Sequence, residues 1–161
     1  MPQPMGTVFS VITDESGQFT PDYSDIMQSK VLVIDPGFVT TDCITVKNKT
    51  LGESKETKTY TEFSMREVLQ RTADSIFKKF NIEIPVPAMQ PYLEKGSIVV
   101  FDREKHKGEN YDFAEILEES SRSVAKEVIE KIIEDYNIYD HSGMTRYKYI
   151  VVTGGTGEAW F

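Results

Sequence analysis

The stretch Val31-Leu32-Val33-Ile34-Asp35-Pro36-Gly37-Phe38-Val39-Thr40-Thr41-Asp42 decides how this chain folds. An apolar run delivers a carboxylate, Asp35, to a glycine turn, and a Thr-Thr-Asp segment leads away. Consecutive β-branched and leucine residues suit a strand buried on both faces, Val31–Asp35. The Thr- and Val-rich segment Val39–Val46 suits a second strand returning from the turn. Backbone N–H groups, hydroxyls and one carboxylate are thereby gathered at a point where a phosphate and its metal could sit. The same residues also fit an ordinary Asp-Pro-Gly turn between two strands, with Thr present for its β propensity.

Further along, Thr57–Phe63 alternates Thr, Tyr and charge and reads as a third strand, less buried or nearer an edge. Ser64 and Glu67 have the spacing of a capping box, after which Met65, Val68, Leu69, Ala73, Ile76, Phe77 and Phe80 follow a helical period. Residues 81–95 contain Pro85, Pro87 and Pro91 and cannot form one regular element. Ser97–Asp102 is the next strand, followed by a charged loop, Arg103–Asn110. From Asp112 to Asn137 the apolar positions Phe113, Ile116, Leu117, Val124, Val128, Ile129, Ile132, Ile133 and Tyr136 define a long amphipathic helix with a solvated acidic face. Tyr147–Thr153 is a last strand, running into Gly154-Gly155-Thr156-Gly157. Before the opening strand, Met5–Ile12 fits a helix begun after Pro4, and residues 13–29 read as a loop or hairpin tip. The order, a helix and then β-β-β-α-β-α-β, predicts an α/β fold whose mixed sheet is antiparallel through three strands and parallel after them.

Composition narrows the function classes. The chain has 161 residues, enough for one domain with a proper core, and a net charge of −8. That charge argues against direct nucleic-acid binding, which uses Lys and Arg clusters. No apolar run approaches the roughly 20 residues that span a bilayer, so no membrane partner is expected. A single cysteine, Cys43, cannot form an internal disulfide and fits a reducing cytoplasm. Cys43 lies within a strand without an evident base, and His106 and His141 lie in separate polar loops without metal-ligand spacing.

Two further features bear on chemistry. Ile150-Val151-Val152-Thr153-Gly154-Gly155-Thr156-Gly157 is a strand ending in a glycine-rich turn, where a backbone can lie against a ring or phosphate. It has neither the G-x-G-x-x-G spacing nor the P-loop lysine, and an ordinary tight turn fits it too. Pro2-Gln3-Pro4-Met5-Gly6 places a neutral amide just before the first helix.

Together these segments resemble the actin-like ATPases, the superfamily of actin, heat-shock chaperones, sugar kinases and plasmid-segregation proteins. Asp35 with Gly37, Thr40 and Thr41 resembles the second phosphate hairpin. Gly154, Gly155 and Thr156 resemble the adenosine motif, and Gln3 stands where the family has a water-orienting Gln or Glu. The topology is then the ribonuclease-H-like one from which each half of such a protein is built. The Gln-Pro-Met-Gly lead-in makes the bacterial plasmid-segregation members, ParM-like and StbA-like, the nearest in pattern. Pro36 and Phe38 depart from the family, and Pro36 removes one N–H from the phosphate cradle.

The resemblance implies ATP or ADP with Mg²⁺, slow hydrolysis, self-association into filaments and an adaptor protein as a further partner, in plasmid segregation or a bacterial cytoskeleton. Asp35 would hold the Mg²⁺–water shell; Gly37, Thr40 and Thr41 the phosphates; Gly154, Gly155 and Thr156 the adenosine; Gln3 the attacking water. It also implies that residues 1–29 are a lead-in helix and loop from a preceding domain, and that 30–161 is a subdomain cut short after Gly157, the first phosphate hairpin being absent. A rival reading is a ribonuclease-H-like adaptor or scaffold that has lost nucleotide binding. A nuclease on the same fold would need clustered carboxylates beside Asp35, for which Asp42 is the only candidate along the hairpin.

Overall fold

A computed structural model of the chain describes residues 10–47, 50–51, 56–93, 95–102 and 106–153. Gln3, Gly154, Gly155 and Thr156 lie outside these residues. Of the helix expected over Met5–Ile12, residues 10–12 are described and are helical. The elements that follow are α1 (Tyr23–Gln28), β1 (Lys30–Pro36), β2 (Thr41–Lys47), β3 (Thr50–Leu51), β4 (Thr57–Tyr60), α2 (Met65–Phe80), α3 (Val86–Leu93), β5 (Ser97–Asp102), β6 (Lys107–Asp112), α4 (Ala114–Tyr136) and β7 (Tyr149–Val152).

β1 is the centre of a five-stranded sheet. It pairs antiparallel with β2, from Lys30 opposite Lys47 to Pro36 opposite Thr41, and parallel with β7, from Val31 beside Tyr149 to Ile34 beside Val152. β3 and β4 share the far edge of β2 in tandem, β3 against Val46 and Lys47 and β4 against Thr41–Ile44. The edge position expected for the third strand is thus where β4 lies.

Both faces of β1 are covered, as its unbroken apolar run requires. Leu32 joins Cys43, Tyr60, Val128, Ile132, Tyr136, Ile138 and Tyr147 in one cluster, so α4 lies across that face. Val31 and Val33 join Ile12, Ile26, Met27 and Val46 on the other. Residues 13–29 are therefore more than a loop: Thr13 and Phe19 bridge across a hairpin tip, and α1 then packs on the sheet.

The strand at Ser97–Asp102 does not extend this sheet. It pairs antiparallel with β6, so part of the expected charged loop is itself a strand. An isolated hairpin is marginal in water, and this one is held by a third cluster of Leu69, Ala73, Ile76, Ile84, Met89, Phe113 and Ile116, with Ile98 packed against it and Tyr111 edge-on to Phe80 at 5.3 Å. Residues 81–95 split into an irregular lead and the eight-residue α3.

α4 ties the two layers together. Its buried residues Ile116, Ser120, Val124, Val128, Ile132 and Tyr136 fall every fourth position, a single stripe that begins in the small lobe and ends on the sheet. Against α2, Arg71 holds Glu127 through two contacts, 2.5 and 3.0 Å, and Glu67 at 2.8 Å. Glu67 thus faces Arg71 instead of closing a capping box, and Ser64 makes no side-chain cap. The Cys43 thiol is fully buried, and burial, followed by the Asp42 and Asp135 charges, pushes its pKa up to about 12.

Two outcomes follow from this core. Leu32→Ala should lose about 2–5 kcal/mol of stability in urea unfolding, because Leu32 is fully buried beneath α4. The Cys43 thiol should react with a disulfide reagent only as the protein unfolds; labelling of the native protein at the rate of a free thiol would contradict its burial.

Candidate functional site

The β1–β2 turn and the end of β7 meet at one edge of the sheet. The Thr153 N–H donates to the Ile34 carbonyl (2.9 Å), so the segment leading into Gly154 leaves β7 directly beside Asp35. Adjacent parallel strands put their carboxyl ends together, and in open α/β sheets that is where ligands collect.

Asp35 stands directly opposite Asp42 in the β1–β2 register, and Asp42 stands opposite Thr59 of β4. Residues paired in this way share one face of the sheet, so two carboxylates and a hydroxyl form a row across three strands. The Asp42 carboxylate accepts from the Thr59 hydroxyl (2.5 Å) and the Thr40 hydroxyl (3.1 Å). Among the described residues no hydrogen bond or ion pair reaches the Asp35 carboxylate. Burial, and after it the Asp42 charge, holds its pKa above the usual 3.8. The sequence offered Asp42 only as a second carboxylate along the hairpin and gave no role to Thr59; counting the register back from a four-residue turn places Asp42 opposite Asp35.

The turn itself is tied to α2. The Gly37 N–H donates to the Thr40 carbonyl (2.7 Å), and a side chain at Gly37 would bring a Cβ to 2.9 Å from that oxygen. Gly37 is therefore required for closing the turn. The carbonyls of Gly37 and Phe38 accept from the Met65 and Arg66 N–H groups at 3.3 and 2.9 Å, satisfying first-turn donors of α2 that a capping side chain would otherwise take. Thr41 is fully buried and its hydroxyl donates to the Phe63 carbonyl. Of the expected phosphate-contacting groups in the hairpin, the Thr41 hydroxyl and the Gly37 N–H are thus engaged within the protein. Thr40 is half-buried beside Asp42, and Phe38 and Val39 at the tip are exposed.

A divalent cation suits this donor set. Two opposed carboxylates, one without a partner, are an electrostatic gap, and Mg²⁺ takes one or two carboxylates with water and phosphate oxygens completing its shell. No group of three or more His, Cys, Asp or Glu residues that could hold a metal alone occurs among the described residues.

The mixed sheet, the crossing α4 and the two strand ends define the second half of an actin-like protein. The pattern of the family described as "Archaeal actin homologue MreB-like, C-terminal" matches residues 33–159, and the chain belongs to that family. Among solved structures it is similar to a non-polymerisable quadruple mutant of pCBH ParM, at 20% identity over 99% of this chain and 44% of that one, with a TM-score of 0.68. It is similar to the 15-stranded ParM filament from Clostridium botulinum, at 19% identity over 99% and 43%, TM-score 0.66. The archaeal actin homolog Ta0583 in complex with ADP gives 16% identity over 99% and 47%, TM-score 0.66. The chain spans less than half the length of each of these. No protein of curated function matches it.

The raised pKa of Asp35 carries a sign that can be tested. A carboxyl that holds its proton more tightly when folded stabilises the fold most below the unfolded value, and that contribution is lost as pH rises through the folded value. At neutral pH the ionised Asp35 thus opposes folding. Asp35→Asn should raise the Tm at pH 7, with the gain vanishing below about pH 4. An equal gain at both pH values would assign it to packing.

Proposed function

We propose that this chain is the C-terminal half of a cytoplasmic actin-like protein that binds ATP with Mg²⁺, hydrolyses it slowly and assembles into filaments, in plasmid or DNA segregation or a bacterial cytoskeleton. The observation that carries the reading is the Asp35 hairpin and the Thr153 end of β7 lying side by side at the carboxyl ends of two parallel strands. Ta0583 was solved with ADP, and the Clostridium botulinum ParM as a filament, which supports extending nucleotide binding and self-association to this chain.

On this reading Asp35 holds the water shell of Mg²⁺, with the Asp42 charge beside it and Thr40, which donates to Asp42, the half-buried hydroxyl of the turn. Gly37 shapes the turn, and Thr41 anchors it to the segment before α2. Gly154, Gly155 and Thr156 would receive the adenosine, and Gln3 would orient water. Bound Mg²⁺ would offset phosphate charge as the terminal phosphoryl group departs. A neutral amide is a poor general base, which accords with slow turnover.

A second reading, an adaptor module without nucleotide, is favoured by the engagement of the Gly37 N–H and Thr41 hydroxyl inside the hairpin. Calorimetric titration of ATP–Mg²⁺ into the longest native form of the protein, beside Asp35→Ala, separates the two. Binding that weakens about tenfold or more in the variant, with ATP-dependent light scattering, is the expected result. Absence of binding at millimolar nucleotide would overturn the ATPase reading and leave the adaptor.

A further inference from the structure

The end of α2 and the segment leading into α3 enclose a groove on the small lobe. Ala73, Phe77, Ile84, Pro85 and Val86 line a space of about 390 Å³, with Asp74 and Glu83 on its walls. Ala73 and Ile84 are buried and belong to the core cluster beneath. Phe77 is 52% exposed, although it falls on the apolar spacing of α2.

The walls are fixed before anything binds. Asn81 ends α2 at φ +57°, and its N–H donates to the Phe77 carbonyl (2.8 Å). Pro85 has its own φ locked by its ring, and its carbonyl accepts from the Ala88 N–H (2.8 Å) as α3 begins. A groove built on a helix end and a proline turn loses little further freedom when it is filled.

Its charge is one-sided. The lining residues include two carboxylates and no Lys, Arg or His. Asp74 accepts from the Gln70 amide (3.0 Å), and among the described residues neither Asp74 nor Glu83 forms an ion pair. Other acids of α2 and α4 are matched: Glu67 and Glu127 hold Arg71, Glu118 holds Arg122, and Glu134 holds Lys131. Lys79, in the last turn of α2, lies over the Phe80 ring at 5.2 Å. Unmatched carboxylates beside an apolar space favour a cationic partner and oppose an anionic one. Nucleic acid and anionic lipid are therefore disfavoured. A second copy is disfavoured too, because the chain carries a net charge of −8.

We propose that this groove docks a short segment of a different protein, in which a Leu, Met or Phe side chain is flanked by Lys or Arg. The apolar side chain fills the space beside Phe77, and the cations face Asp74 and Glu83. The inference goes beyond the nucleotide reading, and neither ATP nor Mg²⁺ enters its test.

The test pans a phage-displayed library of random peptides on the full chain. The selected peptide is then made with a fluorescein label, and its Kd is read by fluorescence anisotropy. Enriched clones should share a large apolar residue with Lys or Arg beside it. Their peptide should bind about tenfold or more weakly to Phe77→Ser and to Asp74→Lys/Glu83→Lys, and weaken with salt. All three positions are exposed, and thermal melts confirm that each variant folds. Val99→Ser/Phe101→Ser, which removes an exposed apolar pair elsewhere on the small lobe, should bind as the wild type does. Failure to enrich any sequence would overturn the proposal, as would enriched sequences that are acidic or lack a cation. So would a peptide lost from Val99→Ser/Phe101→Ser, which marks mere adhesion to exposed apolar surface. Sedimentation of the chain alone covers the remaining occupant. Self-association abolished by the groove variants, with no peptide enriched, would give the groove to a second copy.

Discussion

β1 is the strand on which the rest of the molecule depends. It is buried on both faces and paired on both edges, antiparallel to β2 and parallel to β7. Only a strand of uninterrupted apolar residues can occupy such a place without an unsatisfied polar side chain. The point where that run ends is consequently fixed in space. Asp35, half-buried, lies just past the buried run Val31–Val33 and next to the end of β7.

The second organising constraint is the every-fourth-residue stripe of α4. A stripe at that spacing advances about 40° per step, so between Ile116 and Tyr136 it winds about 200° around the helix and its two ends face different clusters. Its first turns pack in the small lobe and its last turns on the sheet. The Arg71–Glu127 pair then sets α2 against the middle of α4. Both groups remain partly exposed, so the pair orients the helices more than it stabilises them. The result is a body with its candidate nucleotide edge at the carboxyl ends of β1 and β7.

The hairpin shows how structural and chemical duties divide among neighbouring residues of similar type. Thr40 and Thr41 are adjacent and identical, yet successive residues of an extended chain face opposite ways. Thr41 enters the core and reaches Phe63, while Thr40 faces Asp42. Likewise Gly37 is used in closing the turn, and its carbonyl in satisfying α2. What remains for a ligand is the unpartnered Asp35 charge and the edge of the turn around it.

Much of this was determined by sequence alone. Strand β1, helices α2 and α4, and the position of Asp35 at a strand end are local patterns: periodicity and turn chemistry act between residues close in the chain. The order of the motifs in the chain was enough to suggest the actin-like class. What only the tertiary structure decided depends on pairing between distant segments. It set Asp35 opposite Asp42 and Thr59, drew the Thr41 hydroxyl to Phe63, and took Ser97–Asp102 out of the main sheet to pair with Lys107–Asp112. A segment's own residues say that it is a strand; which edge it finds depends on the apolar faces left open elsewhere. Those faces exist only once the chain has packed.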